Sequence, residues 1–322
     1  MWKKLLPGIL LGVLFGYLSL KNVNYEEVLK GLRGAEPPLL VLSAFLLFLM
    51  QGLRSYRWGL ILSPLKRVPQ GTLFSITSVG FLAIAAIPAR IGELARPYLM
   101  NREEDLPLTA GIGSIIVERI LDVLSILLIL SIAVFYFPIP PWMIRGSALL
   151  FVVLAVFLGV LVFLFRRGSA PPFVGWILDR LPEGLRGRVR EWFLQLMKGL
   201  DVFRRKGLIA YLAILSLFIW SIDALALYAL FFALHISLPL SAAYALLAMI
   251  IIGITIPTAP GFIGNWHFFC VLGLTLFGVP RSEALSYAIL NHFISMAVIF
   301  FLGLVFLPFH MDALFPRKKG TH

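Results

Sequence analysis

The sequence predicts an all-α integral membrane protein made of two inverted-topology repeats, with about six spanning helices, two re-entrant helical hairpins and interfacial amphipathic helices. Three observations predict it. The 322 residues are 60% hydrophobic, with a mean hydropathy of +0.94. A soluble fold of this length cannot hide so much apolar surface, so the bilayer is the solvent. Two short Pro/Gly breaks interrupt apolar segments, Pro88-Ala89-Arg90-Ile91-Gly92-Glu93 and Pro260-Gly261-Phe262-Ile263-Gly264-Asn265. Their first prolines lie 172 residues apart, and Pro107 and Pro280, each opening a later apolar helix, lie 173 apart. Finally, lysines and arginines crowd some connections and avoid others, which orients the chain.

The elements follow in order. Lys3 and Lys4 precede a first helix over 5–20. Leu18-Ser19-Leu20-Lys21 offers no small-x-small cleavage site, so this helix is read as retained. An amphipathic stretch, 23–34, leads to a spanning helix at 38–62. The apolar segment 71–87 runs into the first break, and a second arm, 91–100, leaves it. That arm and its end carry Glu93, Arg96, Arg102, Glu103, Glu104 and Asp105, too much charge for a span. A helix over 108–137 completes the first repeat, residues 1–137. The second repeat, 146–310, contains helices at 146–165 and 208–234, an apolar segment 241–257, the second break with its arm 262–277, and a last helix 282–307. Between the first two of these helices, 173–205 interleaves Trp176, Ile177, Leu181, Trp192 and Phe193 with basic residues, the pattern of a helix lying in the interface. The whole chain, 1–322, reads as a single polytopic domain.

The net charge of +12 is positive-inside topology rather than a nucleic-acid surface. Lys3, Lys4, Arg54, Arg57, Lys66, Arg67, the cluster from Arg166 to Lys206, and Arg317 to Lys319 fall on the cytoplasmic side. The connections near Pro138–Pro141 and His235–Pro239 are almost uncharged and fall outside. Both termini are then cytoplasmic in a multi-pass protein of the plasma membrane. The first hairpin enters from the cytoplasm and the second from outside, so the repeats are inverted. Irregular backbone at membrane depth must be surrounded by protein or line a water-filled cavity, which places a substrate site where the two breaks meet.

Ionisable side chains at that depth are functional candidates. Arg90, Glu93 and Arg96 recur at three-residue spacing after Pro88, with Gly92 allowing close approach. At the start of a half-helix they could bind an anion, or an Arg–Glu pair could pin the hairpin. Glu118, Arg119 and Asp122 lie inside the apolar helix 108–137, as a ligand site or as a closed charge network. The second half offers Gly261, Gly264, Asn265, Trp266, His267, Asn291 and His292. Asp223, mid-helix, could relay a proton or hydrogen-bond a neighbouring helix. No metal is expected, because no carboxylate or cysteine clusters with the two histidines. Cys270 is the only cysteine and reads as a small buried apolar residue. No cofactor motif is present.

The run Pro88-Ala-Arg-Ile-Gly-Glu93, the later Glu118-Arg119-x-x-Asp122, and Pro260-Gly-x-Ile-Gly264 followed by Leu276-Phe-Gly-Val resemble the transmembrane, flippase-like domain of lysylphosphatidylglycerol synthases. Relatives of that domain are associated with archaeal dolichol-linked glycosylation and with hopanoid transport. The resemblance covers nearly the whole chain. It implies a lipid-handling membrane protein acting on an anionic phospholipid or a polyprenyl-phosphate-linked lipid. One departure is local: the family often carries a glutamate just past the second pair of glycines, where this chain has Asn265, Trp266 and His267. No stretch resembles a soluble aminoacyl-transfer domain, so aminoacyl transfer is not expected of these residues. The alternatives are an integral membrane lipid-modifying transferase, with Glu118 and Asp122 as its carboxylates, and a non-transporting partner of a separate lipid-modifying enzyme.

Overall fold

Pro37 and Pro38 stand where a helix has no use for their missing N–H groups, and the helix they open continues for about seven turns. The computed structural model describes residues 2–87, 92–136, 180–256 and 258–314, with scattered positions between 145 and 159. Among these residues the fold is all-helical, with eleven helices of ten residues or more. They are α1 (Trp2–Leu20), α2 (Tyr25–Gly34), α3 (Pro37–Leu62), α4 (Gln70–Ala86), α5 (Ala95–Glu104), α6 (Leu108–Tyr136), α7 (Glu183–Gly199), α8 (Lys206–Ala233), α9 (Leu240–Thr255), α10 (Asn265–Leu276) and α11 (Arg281–Phe306). The expected helix at 146–165, Arg90, and the basic run 317–319 lie outside the described residues.

Among the described residues, three helices meet the length and hydropathy of a bilayer span: Pro37–Leu62, Gly207–Ala233 and Arg281–Leu314. Shorter apolar helices are Pro7–Leu20, Gln70–Ala86 and Leu240–Thr255. The 29-residue α6 is long enough to span and equally apolar, but it carries Glu118, Arg119 and Asp122. The outward faces confirm the solvent. Val41, Phe45, Ile214, Phe218, Phe293 and Phe301 are all more than half exposed, an apolar exterior that only lipid tolerates. The chain is a multi-pass membrane protein.

Long-range packing interlocks the two parts of the chain. α3 lies along α8, and α4 along α11. α1 packs on the second break and α10, where Phe15 stacks on Phe268 with ring centroids 5.1 Å apart. The central core joins α3, α6, α8, α9, α10 and α11 through residues such as Leu130, Phe231, Leu246 and Tyr287. A smaller core gathers Trp58, Leu62, Ile76, Leu99 and Met100 from α3, α4 and α5. α7 crosses α6 at Gly113 and Gly199, where a methyl group on either glycine would meet the other helix's backbone. Thr109 donates to Gln195 across the same crossing at 2.6 Å.

Both expected breaks interrupt the helices. α4 ends at Ala86, and residues 92–94 form a single 3-10 turn before α5. α9 ends at Thr255, and Pro260–Phe262 form the matching turn before α10. The carboxyl-terminal 3-10 turn, Leu307–His310, is fastened beneath α4 and α5. His310 Nε2 meets Ser75 Oγ at 2.5 Å and His310 Nδ1 meets Glu103 Oε1 at 2.6 Å. The order Ser–His–Glu is that of a hydrolytic relay, but Ser75 lies within helix α4 and lines neither of the cavities described below. The contact therefore ties three segments together.

Candidate functional site

Arginines on α3, α5 and α6 converge on two carboxylates of α6. Glu118 is fully buried and accepts from both Arg96 Nη atoms, at 2.9 and 3.0 Å. Arg119 Nη2 donates to the same carboxylate at 2.8 Å, and Arg57 Nη2 approaches it at 3.9 Å. Asp122 accepts from Arg57 at 2.8 Å and from the Trp220 indole at 3.2 Å, with Arg119 at 3.4 Å. Arg57 also donates to Ser216 at 2.8 Å. Trp58 closes the lower side: the Arg96 guanidinium lies 4.1 Å from its ring centroid, and its indole donates to Ser114. Burying this much charge costs free energy unless each group is paired, and Glu118 is paired on both oxygens.

The stem of Arg96 reaches Glu118 by crossing α4 at Gly80, where a methyl group would land on the Arg96 side chain. Gly80→Ala is therefore expected to lower stability by about 1–3 kcal/mol, the cost of overpacking around a side chain that cannot move away. Gly52→Ala is the control, because nothing lies within 4 Å of its added methyl. It should be neutral or slightly stabilising, by up to about 1 kcal/mol. Thermal denaturation of the two variants in the same detergent checks the contrast.

Beside the cluster lies a cavity of about 390 Å³. Its charged lining residues, Arg54, Glu93, Arg119, Asp122 and Asp223, lie near one another. Apart from Gln51, Ser78, Thr255 and Ser295, the other walls are apolar, with Phe81, Ile126, Leu130, Ile252, Val298 and Leu302 among them. Both breaks border it, the first through Glu93 and the second through Phe262 and Trp266. A second, more apolar cavity of about 370 Å³ opens between α5 and α6, and Glu93, Arg119 and Val123 line both.

The sequence profile of the lysylphosphatidylglycerol synthase TM region matches residues 5–303. The chain belongs to this family. A UPF0104 membrane protein of Methanothermobacter thermautotrophicus is 25% identical over 94% of both chains. Another UPF0104 membrane protein, from Methanocaldococcus jannaschii, is 25% identical over 68% of this chain and 90% of its own length. The glycosyltransferase AglD of Haloferax volcanii is 30% identical over 38% of this chain, a match that covers 20% of AglD.

In this member of the lysylphosphatidylglycerol synthase TM region family, the residues singled out from the sequence divide into two groups. Glu93, Arg119, Asp122, Asp223 and Trp266 line the central cavity. The others hold the structure around it. Arg96 lies behind the cavity, locked on Glu118 and Trp58. Gly92 brings its turn against α4, where a side chain would meet the Ala83 carbonyl. Buried Asn265 donates to the carbonyls of Gly253 and Ile256 at 3.1 and 3.3 Å, closing the end of α9. His292 donates from Nε2 to the Gly261 carbonyl at 2.7 Å and packs on His267, with ring centroids 4.7 Å apart. Asn291 is buried beneath them, and Gly261 and Gly264 supply the turn's positive φ angles. Among the described residues no group of three metal-ligating side chains occurs.

Two arginines of the cluster and cavity were not among the candidate residues. Arg54 and Arg57 read as cytoplasmic charges at the end of the expected helix 38–62, but α3 carries both inside the bundle. Arg57 is fully buried in the charge cluster. Arg54 lines the cavity between the rings of Phe81 and Trp220, 5.2 Å from each centroid. The signal that could have found them is the apolar Leu60-Ile61-Leu62 that follows, which extends the helix past both. Lys66 does lie in the connection, paired with Glu104 at 2.9 Å.

Proposed function

We propose that the protein is a lipid transporter of the flippase type, moving a lipid with an anionic headgroup between leaflets. The lipid would be a phospholipid or a polyprenyl-phosphate-linked molecule, with its headgroup in the central cavity. One observation carries this reading. A single cavity, of the size small-molecule sites usually have, combines a group of charged side chains with a largely apolar lining and touches both chain breaks. That is the polarity of a lipid: a charged headgroup at one end and hydrocarbon at the other. Arginine suits phosphate because its planar fork can donate two parallel hydrogen bonds.

The proposal includes the architecture that would move the lipid. Helices α3 to α6 recur in order and approximate length as α8 to α11, and the charge pattern inverts the second set relative to the first. α4 and α9 have 17 and 16 residues, about 25 Å of helix, which stops short of a hydrocarbon core about 30 Å thick. Each would enter the membrane and return as a hairpin. Rocking of one half against the other would then open the cavity to alternate leaflets. Cysteines at Lys66 and Pro182 should label only from the cytoplasm, and cysteines at Ile139 and Leu238 only from outside. Labelling of the first pair from outside would remove the inverted arrangement.

Binding tests the substrate class. Native mass spectrometry of the purified protein should retain phosphatidylglycerol in preference to phosphatidylcholine. Ile299→Trp, at a half-buried residue that lines the apolar part of the cavity, should release it without lowering the melting temperature of the protein. Equal retention of both lipids, unaffected by the tryptophan, would contradict the reading. Glu118 and Asp122, the carboxylates that the transferase alternative would use, are both held by arginines.

A further inference from the structure

The charge balance around the cavity points to how an anionic headgroup could be accommodated. Among the described residues, the cluster and cavity together hold four arginines (Arg54, Arg57, Arg96, Arg119) and four carboxylates (Glu93, Glu118, Asp122, Asp223). The set is neutral as it stands. A phosphodiester entering this low-dielectric space brings one uncompensated negative charge, which is costly to bury. Either another cation follows it or one carboxylate takes up a proton.

Geometry separates the groups. Arg57, Arg96 and Arg119 are all engaged with Glu118 or Asp122. Arg54 is different. Its guanidinium faces the cavity between Phe81 and Trp220 and makes no ion pair within 4.0 Å among the described residues. Asp223, on the facing helix α8, also lines the cavity and likewise makes no hydrogen bond or ion pair among the described residues. The two lie near enough for each to act on the other's charge. Of the charged and titratable groups, Arg54 from α3 and Tyr287 from α11 lie near Asp223, Arg57 from α3 and Asp122 and Arg119 from α6 surround Arg54, and Glu93 from the first turn lines the same cavity.

We propose that Arg54 is the primary ligand of the headgroup phosphate, and that Asp223 is its exchangeable counter-ion. This rests on the lipid-transport reading above. In the empty cavity Asp223 balances Arg54. When a phosphodiester binds Arg54, it takes over as the negative partner, and Asp223 accepts one proton from water. The net charge of the site is then the same before and after binding. One proton accompanies each lipid into the cavity, so binding of an anionic lipid is coupled to pH. Asp223 itself need not touch the lipid; it sets the charge that Arg54 presents. Arg54→Lys keeps the charge but loses the two-pronged donor and should bind less tightly than wild type.

The sign follows from linkage. A ligand that binds with proton uptake binds more weakly as pH rises. With one proton per lipid the apparent Kd should rise by about tenfold per pH unit across the range where Asp223 titrates. The test is calorimetric binding of dihexanoylphosphatidylglycerol to the full chain in detergent, at several pH values and in two buffers of different ionisation enthalpy. Wild type should take up one proton per lipid. Asp223→Asn should bind with no proton uptake and no pH dependence, at least as tightly as wild type at low pH. Arg54→Gln should lose at least tenfold in affinity while its melting temperature is unchanged. Proton uptake that persists in Asp223→Asn, or wild-type affinity in Arg54→Gln, overturns the proposal. Tight wild-type binding without proton uptake overturns it too, and leaves the lipid-transport reading standing. Absence of wild-type binding removes both. Should Asp223→Asn fail to fold, the wild-type proton count and Arg54→Gln decide the matter.

Discussion

Glu118→Gln should be the most damaging single substitution in the charge cluster. The amide keeps the volume of the carboxylate but removes the charge that balances Arg96 and Arg119 and draws in Arg57. Three arginines would then face one remaining paired carboxylate, Asp122, inside the bundle. Breaking a buried pair by removing one partner costs about 3–5 kcal/mol, because the other charge stays buried and uncompensated. Combining Glu118→Gln with Arg96→Met should recover part of the loss. Methionine retains the stem that packs on Trp58 and removes the orphaned charge. Arg119→Ala should be milder than Glu118→Gln, since the Arg119 side chain is 37% exposed to the cavity side. Denaturation of the variants in one detergent checks the ranking. Wild-type stability for Glu118→Gln would show that the cluster is open to water.

Gly264→Ala is expected to abolish folded protein. Its backbone, at φ 97° and ψ −69°, lies where side chains are strained, a cost of order 1–3 kcal/mol. A methyl group would also strike the carbonyl of Gly12 on α1, and both collision partners are backbone. No rotamer change relieves that contact, so α1 must leave the second break. Gly278→Ala separates the two effects. Gly278 also has a positive φ, 81°, but open space around the added methyl. It should lose only the conformational part. Monodisperse yield on size-exclusion chromatography, followed by thermal scanning, distinguishes the pair. Equal behaviour of the two alanine variants would mean that the contact between α1 and the second break contributes little.

The sequence made the helical frame and both interruptions legible because each has a local cause. Pro37, Pro38 and Pro107 mark helix starts, and the Pro/Gly runs mark the breaks; these signals act within a turn or two. Charge was harder to place. Arg54 and Arg57 carry the same letters as the basic residues that set topology, and although both fall inside the expected helix 38–62, only their contacts with α6 and α8 show that they face the bundle interior. Arg96 was legible as a residue of the broken-helix arm but not as the partner of Glu118, because a pairing across 22 residues and two helices leaves no local pattern. The same limit hid the role of Asn265. Its position after Gly264 pointed to a ligand, and its side chain instead closes the end of α9. Glu93, Arg119 and Asp122 were found because charge inside an apolar segment is conspicuous whatever it pairs with.

The central claim is that this chain carries anionic lipids across the bilayer, and transbilayer exchange tests it most directly. Purified protein would be reconstituted into vesicles containing a trace of headgroup-fluorescent phosphatidylglycerol. Dithionite added outside then bleaches only the outer leaflet. The account predicts bleaching well beyond half of the label in protein-containing vesicles, with Arg54→Gln returning it to the half seen in empty ones. Bleaching that stops at half with wild-type protein, in vesicles shown to contain folded protein in both orientations, would contradict it.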